Sequence, residues 1–232
     1  MSGALESPLV RSLFSGEVFA AEQLSPGDPE QLLPEERAGQ ATWVDKRLRE
    51  FAAGRQCARR ALRQLTMPDY ALINGPDRCP IWPNGIVGSI THADGFAAAV
   101  VARNSDFTSV GLDAERRDRV GADLWERLFV PAELSWLQSL EAAQRSGAAA
   151  LLFSAKEALY KCQYLVTRRW LDFHDVALRV DGQTEQQGRL AVAEGCRVLE
   201  LWPEARQMRG RFAVHEGWVV SSFELATLPR TL

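Results

Sequence analysis

The stretch VGSITHADGFAAAVVA, residues 87–102, limits the possible folds more than any other part of the chain. Asp94-Gly95 is a two-residue turn signal, because glycine reaches positive φ without steric cost, and the apolar runs on either side read as strands. Strands joined by so short a loop pair antiparallel, so an antiparallel sheet is expected near the middle of the chain. TSVGLDAE (108–115) adds a short apolar strand ending in acids, and another strand is expected at Val18–Ala20. The tail continues in strand-like blocks, DVALRV (175–180), GRLAVA (188–193) and GRFAVHEGWVVSSFEL (210–225), with the polar turn DGQTEQQG (181–188) between the first two.

Helical periodicity alternates with these strands. From Pro34 to Leu65, Trp43, Leu48, Phe51, Ala52, Ala58, Leu62 and Leu65 recur at three- and four-residue steps. Lys46, Arg47, Arg49, Arg55, Arg59, Arg60 and Arg63 form the opposite side, for which a solvated basic face is one of the open readings. Turn residues dominate Pro68–Gly88, helical pieces cover Leu124–Leu140, and LLFSAKEALYKCQYL (151–165) is a helix with Leu152, Ala155, Leu159 and Cys162 as its buried stripe. No internal repeat stands out. The fold class is therefore α+β (mixed α/β) with an antiparallel sheet at the end. A composition shift near residue 110 divides the chain into residues 1–110 and 111–232.

Composition removes several functions. A formal charge of −3, from 27 Lys+Arg against 30 Asp+Glu, argues against a nucleic-acid binder. No apolar run approaches about 20 residues, so no membrane span is expected. Glu6 and Arg11 fall where a signal peptide needs an apolar centre, which points to a cytoplasmic protein. Cys57, Cys79, Cys162 and Cys196 are spaced too widely for a CxxC site, and His92, His174 and His215 are scattered. Nothing indicates an oligomer, so a monomer is expected.

Three short segments carry chemistry. In Gly111-Leu112-Asp113-Ala114-Glu115, strand geometry sets Asp113 and Glu115 side by side with Leu112 and Ala114 toward the core. Two adjacent carboxylates suit a hard divalent cation, although a strand end running into the charged loop ERRDR is the other open reading. In Phe153-Ser154-Ala155-Lys156-Glu157-Ala158-Leu159-Tyr160-Lys161, Glu157 and Lys161 share a helix face with Lys156 beside them. That arrangement is either a surface ion pair or a third metal carboxylate flanked by ammonium groups. Only 3 of the 27 basic residues are lysine, and two of those stand here. Ser89-Ile90-Thr91-His92 offers two hydroxyls on one strand face and an imidazole beside the turn.

Together, SxTH, GxDxE and FxxKEAxxK, with KRLREFAAGRQCARRAL (46–62), PIWPNGIVGSITH (80–92) and RRWLDFHDV (168–176), closely resemble the 4′-phosphopantetheinyl transferase superfamily. The likeness is to its larger class, which serves siderophore, polyketide and fatty-acid synthases. The resemblance implies two similar α+β halves about a pseudo-twofold axis, with antiparallel sheets packed on helices and the active site in the cleft between halves. It also implies transfer of the phosphopantetheine arm of coenzyme A to a serine of an apo acyl, peptidyl or aryl carrier protein, releasing adenosine 3′,5′-bisphosphate. Carried over by motif, Asp113, Glu115 and Glu157 would hold Mg²⁺, with Mn²⁺ as the alternative. Ser89, Thr91 and His92 would lie near the 3′-phosphate or ribose, and Lys156, Lys161, Arg47 and Arg55 would face the phosphates. Asn74 stands where relatives often carry a lysine, and Arg78 is the substitute. Glu157 is the expected general base, with Glu133 in reserve, and Asp113 and Lys161 complete the catalytic set.

Arg116, Arg117 and Arg119 with Leu124, Trp125, Leu128 and Phe129 are read as a carrier dock, or else as a charged loop entering an ordinary core helix. Two other functions share the metal and phosphate chemistry: a Mg²⁺-dependent nucleotide phosphohydrolase and a non-catalytic coenzyme A-binding regulatory module.

Overall fold

The computed structural model describes residues 8–38, 40, 43–182 and 186–228, so Glu6 and part of the DGQTEQQG turn lie outside the described residues. Helix α1 (Pro8–Ser12) and strand β1 (Phe19–Gln23) lead to α2 (Pro34–Arg37) and the long helix α3 (Asp45–Gln64). The hairpin β2 (Ile86–Ala93) and β3 (Phe96–Arg103) follows, with Ala93 opposite Phe96 and Gly95 at φ 84°. The second part contains β4 (Phe107–Arg116), α4 (Trp125–Leu128), α5 (Pro131–Ser139) and the longest helix, α6 (Ala142–Thr167). It ends with β5 (Leu178–Gly182), β6 (Gln187–Val192), α7 (Arg197–Leu201), β7 (Arg209–His215) and β8 (Trp218–Ala226).

The α+β class and its antiparallel sheets are as the sequence predicts. One sheet has the order β1-β3-β2 and the other β4-β8-β7-β6-β5. Helix α3 covers the first sheet, burying Ala58 and Leu62 against Ala97, Ala99 and Val101. Helix α6 covers the second, burying Leu152, Ala155, Leu159 and Cys162 with Val219 and Phe223. Val100, Phe107, Leu112, Ala114 and Val220 form a further cluster that joins the two sheets. Two glycines set how closely the helices approach. A Cβ on Gly54 of α3 would lie 2.7 Å from Ile90 Cγ2, and one on Gly111 of β4 would lie 1.9 Å from the Ala158 carbonyl. Each helix therefore rests nearer its strand than a side chain would permit.

The single helix expected from Pro34 to Leu65 is two. Ala38 leaves helical geometry at ψ 125°, and α3 starts afresh at Asp45. The interruption lets Glu36 turn inward to Arg59, and both side chains are buried. The basic face of α3 is consequently not all solvated: Arg55 and Arg59 are 4% and 6% exposed.

A repeat that residue pattern alone does not show, and that the likeness of halves implied by the resemblance anticipates, also emerges. Glu36 and Glu133 are each the third residue of a helix that starts with proline, and each is buried. Glu36 pairs with Arg59 of α3, 23 residues on, and Arg59 also donates to the Gln31 carbonyl, 28 residues back. Glu133 pairs with Lys156 of α6 at 2.6 Å, and Lys156 donates to the Leu128 carbonyl, again 28 residues back. Each glutamate also accepts the N–H three residues before it, Leu33 or Val130. With its other oxygen it accepts the N–H of a distant segment, Leu72 or Leu178. Pro34, Glu36, Ala58, Arg59, Ala61 and Leu62 thus correspond to Pro131, Glu133, Ala155, Lys156, Ala158 and Leu159.

Candidate active site in the cleft between sheets

Strands β2 and β4 are edge strands of different sheets, and side-chain hydroxyls fasten one to the other. The Leu112 N–H donates to Ser89 Oγ (3.0 Å), and the Ala114 N–H donates to Thr91 Oγ1 (3.0 Å). Thr91 Oγ1 in turn donates to Asp113 Oδ1 at 3.2 Å. Both hydroxyls are almost wholly buried. Both residues line the cleft, and the hydrogen bonds that their hydroxyls make go to β4, because two edge strands brought together leave N–H groups that need acceptors.

Alongside this seam runs a cleft of about 590 Å³. Arg47, Arg55, Asn74 and His92 line it from the first half, and Asp113 and Lys161 from the second. Arg47 Nη1 lies 3.0 Å from His92 Nε2, with Glu50 Oε2 3.9 Å from the other ring nitrogen. Burial, and then the charge of Arg47, lower the His92 pKa, so the ring is neutral at pH 7 and accepts at Nε2. Arg55 stacks over Phe51 at 4.0 Å and donates to the Leu72 carbonyl (2.7 Å) and to Asn74 Oδ1. Burial lowers its pKa to about 10, which leaves it charged at neutral pH behind Asn74. Arg78 lines the cleft from a loop where it takes φ 66°, its N–H donating to the Gly75 carbonyl.

Asp113 is the centre of the acidic side. Lys161 Nζ reaches its Oδ1 at 2.7 Å and also donates to the carbonyls of Leu112 (3.1 Å) and Ile90 (3.4 Å). The other oxygen, Oδ2, is buried and has no hydrogen-bond partner. Glu115 is pushed up to about 7, first by burial and then by the charge of Asp113. Glu157 is raised by burial, with Lys161 opposing and Asp113 adding to the shift. Glu115 and Glu157 each feel the charge of Asp113, yet the three acids do not form a ready-made cage. Among the described residues, no group of three or more His, Cys, Asp or Glu is arranged to hold a metal ion. The expected convergence on an ion is replaced by an acidic cluster with Lys161 supplying positive charge to its most buried member. The donor set nevertheless suits a hard divalent cation, since a buried carboxylate oxygen stands unpartnered beside two carboxyls that burial disfavours as anions.

Lys156 and Glu133 belong elsewhere. Besides Glu133, Lys156 donates to the Leu128 (2.9 Å) and Phe173 (2.8 Å) carbonyls, so its three N–H bonds are engaged within the protein. It neither faces the phosphate cleft nor, by the same bonds, leaves Glu133 free as a base. In the proposed dock, Phe129 is core at 1% exposure, and Arg116 lies over Trp218 at 4.9 Å. Arg117, Arg119 and Leu124 stay exposed, with Arg119 Nη1 3.7 Å from Asp94 across the seam.

The sequence reading passed over several side chains of the cleft. Glu50 follows Arg47 by three residues on α3 and faces His92. Asp77 and Arg168 close the rim between halves at 3.0 Å. Trp170, 78% exposed, stands edge-on to Tyr160 at the mouth. Arg168 and Trp170 lie in RRWLDFHDV, so a signal for them was present.

Known proteins place this architecture. Residues 33–102 match the 4′-phosphopantetheinyl transferase N-terminal domain, and residues 109–220 match the 4′-phosphopantetheinyl transferase superfamily. The 4′-phosphopantetheinyl transferase Svp of Streptomyces mobaraensis is 41% identical over 209 residues, covering 87% of this chain and 82% of Svp. Npt of Nocardia iowensis is 38% identical, covering 72% of this chain and 74% of Npt. PptT of Mycobacterium tuberculosis is 36% identical, covering 83% of this chain and 86% of PptT. With matches to both halves and 41% identity along most of its length, the chain belongs to the 4′-phosphopantetheinyl transferase superfamily.

Proposed function

We propose that this chain transfers the 4′-phosphopantetheine group of coenzyme A to a serine of an apo carrier protein, releasing adenosine 3′,5′-bisphosphate. One observation carries the reading: a single cleft sets Arg47, Arg55, Arg78 and His92 of one half against Asp113 and Lys161 of the other, and the charge of Asp113 is felt by Glu115 and Glu157. Coenzyme A is polyanionic at one end and uncharged along its arm. The arginines meet the phosphates, and the neutral His92 offers its remaining ring N–H. Glu157 lines a smaller hollow of about 140 Å³ whose walls combine Tyr160, Trp170, Leu171 and Phe173 with the charged Lys156 and Asp172, and its aromatic side suits the uncharged arm.

Attack of the serine oxygen needs alignment, charge neutralisation and an acceptor for its proton. Glu157, whose proton affinity is raised, takes that proton. Lys161 acts through Asp113, holding it in place and offsetting its charge. Asp113, Glu115 and Glu157 are the residues that would hold Mg²⁺ or Mn²⁺, which neutralises phosphoryl charge when bound. Arg117, Arg119 and Leu124 give the carrier an exposed basic and apolar edge. Nearby, α4 leans on the Phe173–Asp175 turn through His174 Nε2 and the Glu126 carbonyl (3.1 Å).

The test is to incubate the protein with coenzyme A, Mg²⁺ and an apo carrier protein and to weigh the carrier. A gain of one phosphopantetheine, reduced by about 10³-fold or more in Glu157→Gln, is the expected result. Release of bisphosphate with an unmodified carrier would instead identify a hydrolase, and binding with neither outcome a sensor. No helix among the described residues is long and apolar enough to cross a membrane, so the assay needs no lipid.

A further inference from the structure

Asp113 is held from both halves of the molecule by the same oxygen. Lys161 of α6 approaches Oδ1 at 2.7 Å, and Thr91 of β2 donates to it at 3.2 Å. Thr91 is 2% exposed and is fixed in turn by the Ala114 N–H, the residue after Asp113, at 3.0 Å. One hydroxyl thus touches both the backbone and the side chain of the strand that bears the acid. With Oδ1 doubly engaged, Oδ2 is left buried and without a partner. The neighbouring seam contact, Ser89, reaches only the backbone of Leu112 and leaves Asp113 untouched.

We propose that Thr91 is a positioning residue for the reaction: its hydroxyl, reaching across the seam, fixes the Asp113 carboxylate so that Oδ2 is presented to a divalent cation. The inference rests on the function proposed above and deepens its metal site. A hydroxyl suits the task because it donates to the carboxylate while accepting the Ala114 N–H, which valine, of the same shape, cannot do. Outer hydrogen-bond partners of a metal ligand typically matter by about 10- to 100-fold in metal affinity.

The experiment compares the wild type with Thr91→Val and Thr91→Ser, using Mn²⁺ alone as a probe read by its free-ion paramagnetic resonance signal, and then carrier modification with Mg²⁺. Thr91→Val is expected to weaken Mn²⁺ binding about tenfold or more and to lower kcat comparably, with the KM for coenzyme A changed less than about threefold. Thr91→Ser is expected to restore both to within about threefold. Ser109→Ala removes another buried hydrogen bond of β4, to the Cys162 carbonyl, without touching Asp113, and serves as the stability control. If Thr91→Val does not fold, Thr91→Cys, a weaker donor, falls between serine and wild type on one side and outright loss on the other. Unchanged Mn²⁺ affinity in a folded Thr91→Val, no rescue by serine, or an equal loss in Ser109→Ala would overturn the proposal. A wild type that binds Mn²⁺ but modifies no carrier would overturn the proposed function while leaving the role of Thr91 toward the cation testable.

Discussion

A frame of the same design braces each half from within, and neither frame is the candidate active site, which lies in the cleft between the halves. In the first half a helix-start glutamate, Glu36, is buried against Arg59; in the second, Glu133 is buried against Lys156. Both cations reach back to a carbonyl 28 residues earlier, and both acids accept two backbone N–H groups. The halves part company on the exposed side of the long helices. Where α3 has Arg60 and Gln64, α6 has Glu157 and Lys161, and these two face Asp113. The lesson is that two lysines five residues apart on α6 have different tasks. Lys156 completes a buried ion pair that ties α5, α6 and the Phe173 turn together, whereas Lys161 sits in the cleft wall beside the acid.

The strongest attack on this parallel is Lys156→Met. It leaves Glu133 buried without its cation, a loss of roughly 3–5 kcal/mol, so the Tm should fall by about 10 °C while folded protein keeps kcat within about threefold. Arg59→Met should behave alike. Calorimetry beside the carrier assay decides: a normal Tm with lost turnover would move Lys156 into the site and dissolve the parallel.

Lys161→Met should show the opposite balance, with kcat reduced about 100-fold and the Tm lowered by only a few degrees, because its side chain is partly solvated. The same pair of measurements serves, and a large Tm loss with intact turnover would make Lys161 a mere clasp.

The smallest effect concerns pH. Glu115, raised to about 7 in the fold from 4.5, is favoured by folding in its protonated form. Its contribution to stability is therefore complete below about pH 4.5 and is lost as pH rises through about 7. In chelator, Glu115→Gln should melt about 2 °C above wild type at pH 8 and level with it at pH 4, the small figure reflecting the group's partial exposure. Mg²⁺ should reverse the order at pH 8. Equal melting at both pH values in chelator would show that Glu115 bears no strain from its acidic neighbour.

Much of the fold was legible in local pattern. The Asp94-Gly95 hairpin, the β4 strand and the stripe of α6 follow from turn chemistry and periods of two and 3.6 residues, which a reader of residues sees directly. The one-turn helices α1 and α7 were not legible, since five residues carry too little periodicity. Arg59 read as part of a basic face and Lys156 as a phosphate-facing ammonium because burial of a cation is decided by a distant acid, here 23 residues away, and pattern along one helix does not reveal it. The same blindness hides the repeat from pattern alone, since it is carried by a few scattered identities and not by a continuous run; only the family resemblance implied similar halves. Ser89 and Thr91 were visible as a pair of hydroxyls on one face, but their partners lie on β4, over 20 residues on, so ligand and strand could not be told apart.

By itself, then, the sequence determined the main secondary elements and the antiparallel pairing, because local geometry is written residue by residue, and its motifs singled out Asp113, Glu115, Glu157, His92 and Arg47 as candidates. Only the tertiary structure decided which lysine is buried, which oxygen of Asp113 is free and which hydroxyls are occupied by backbone. Hydrogen bonding and desolvation depend on what arrives from the other half of the chain.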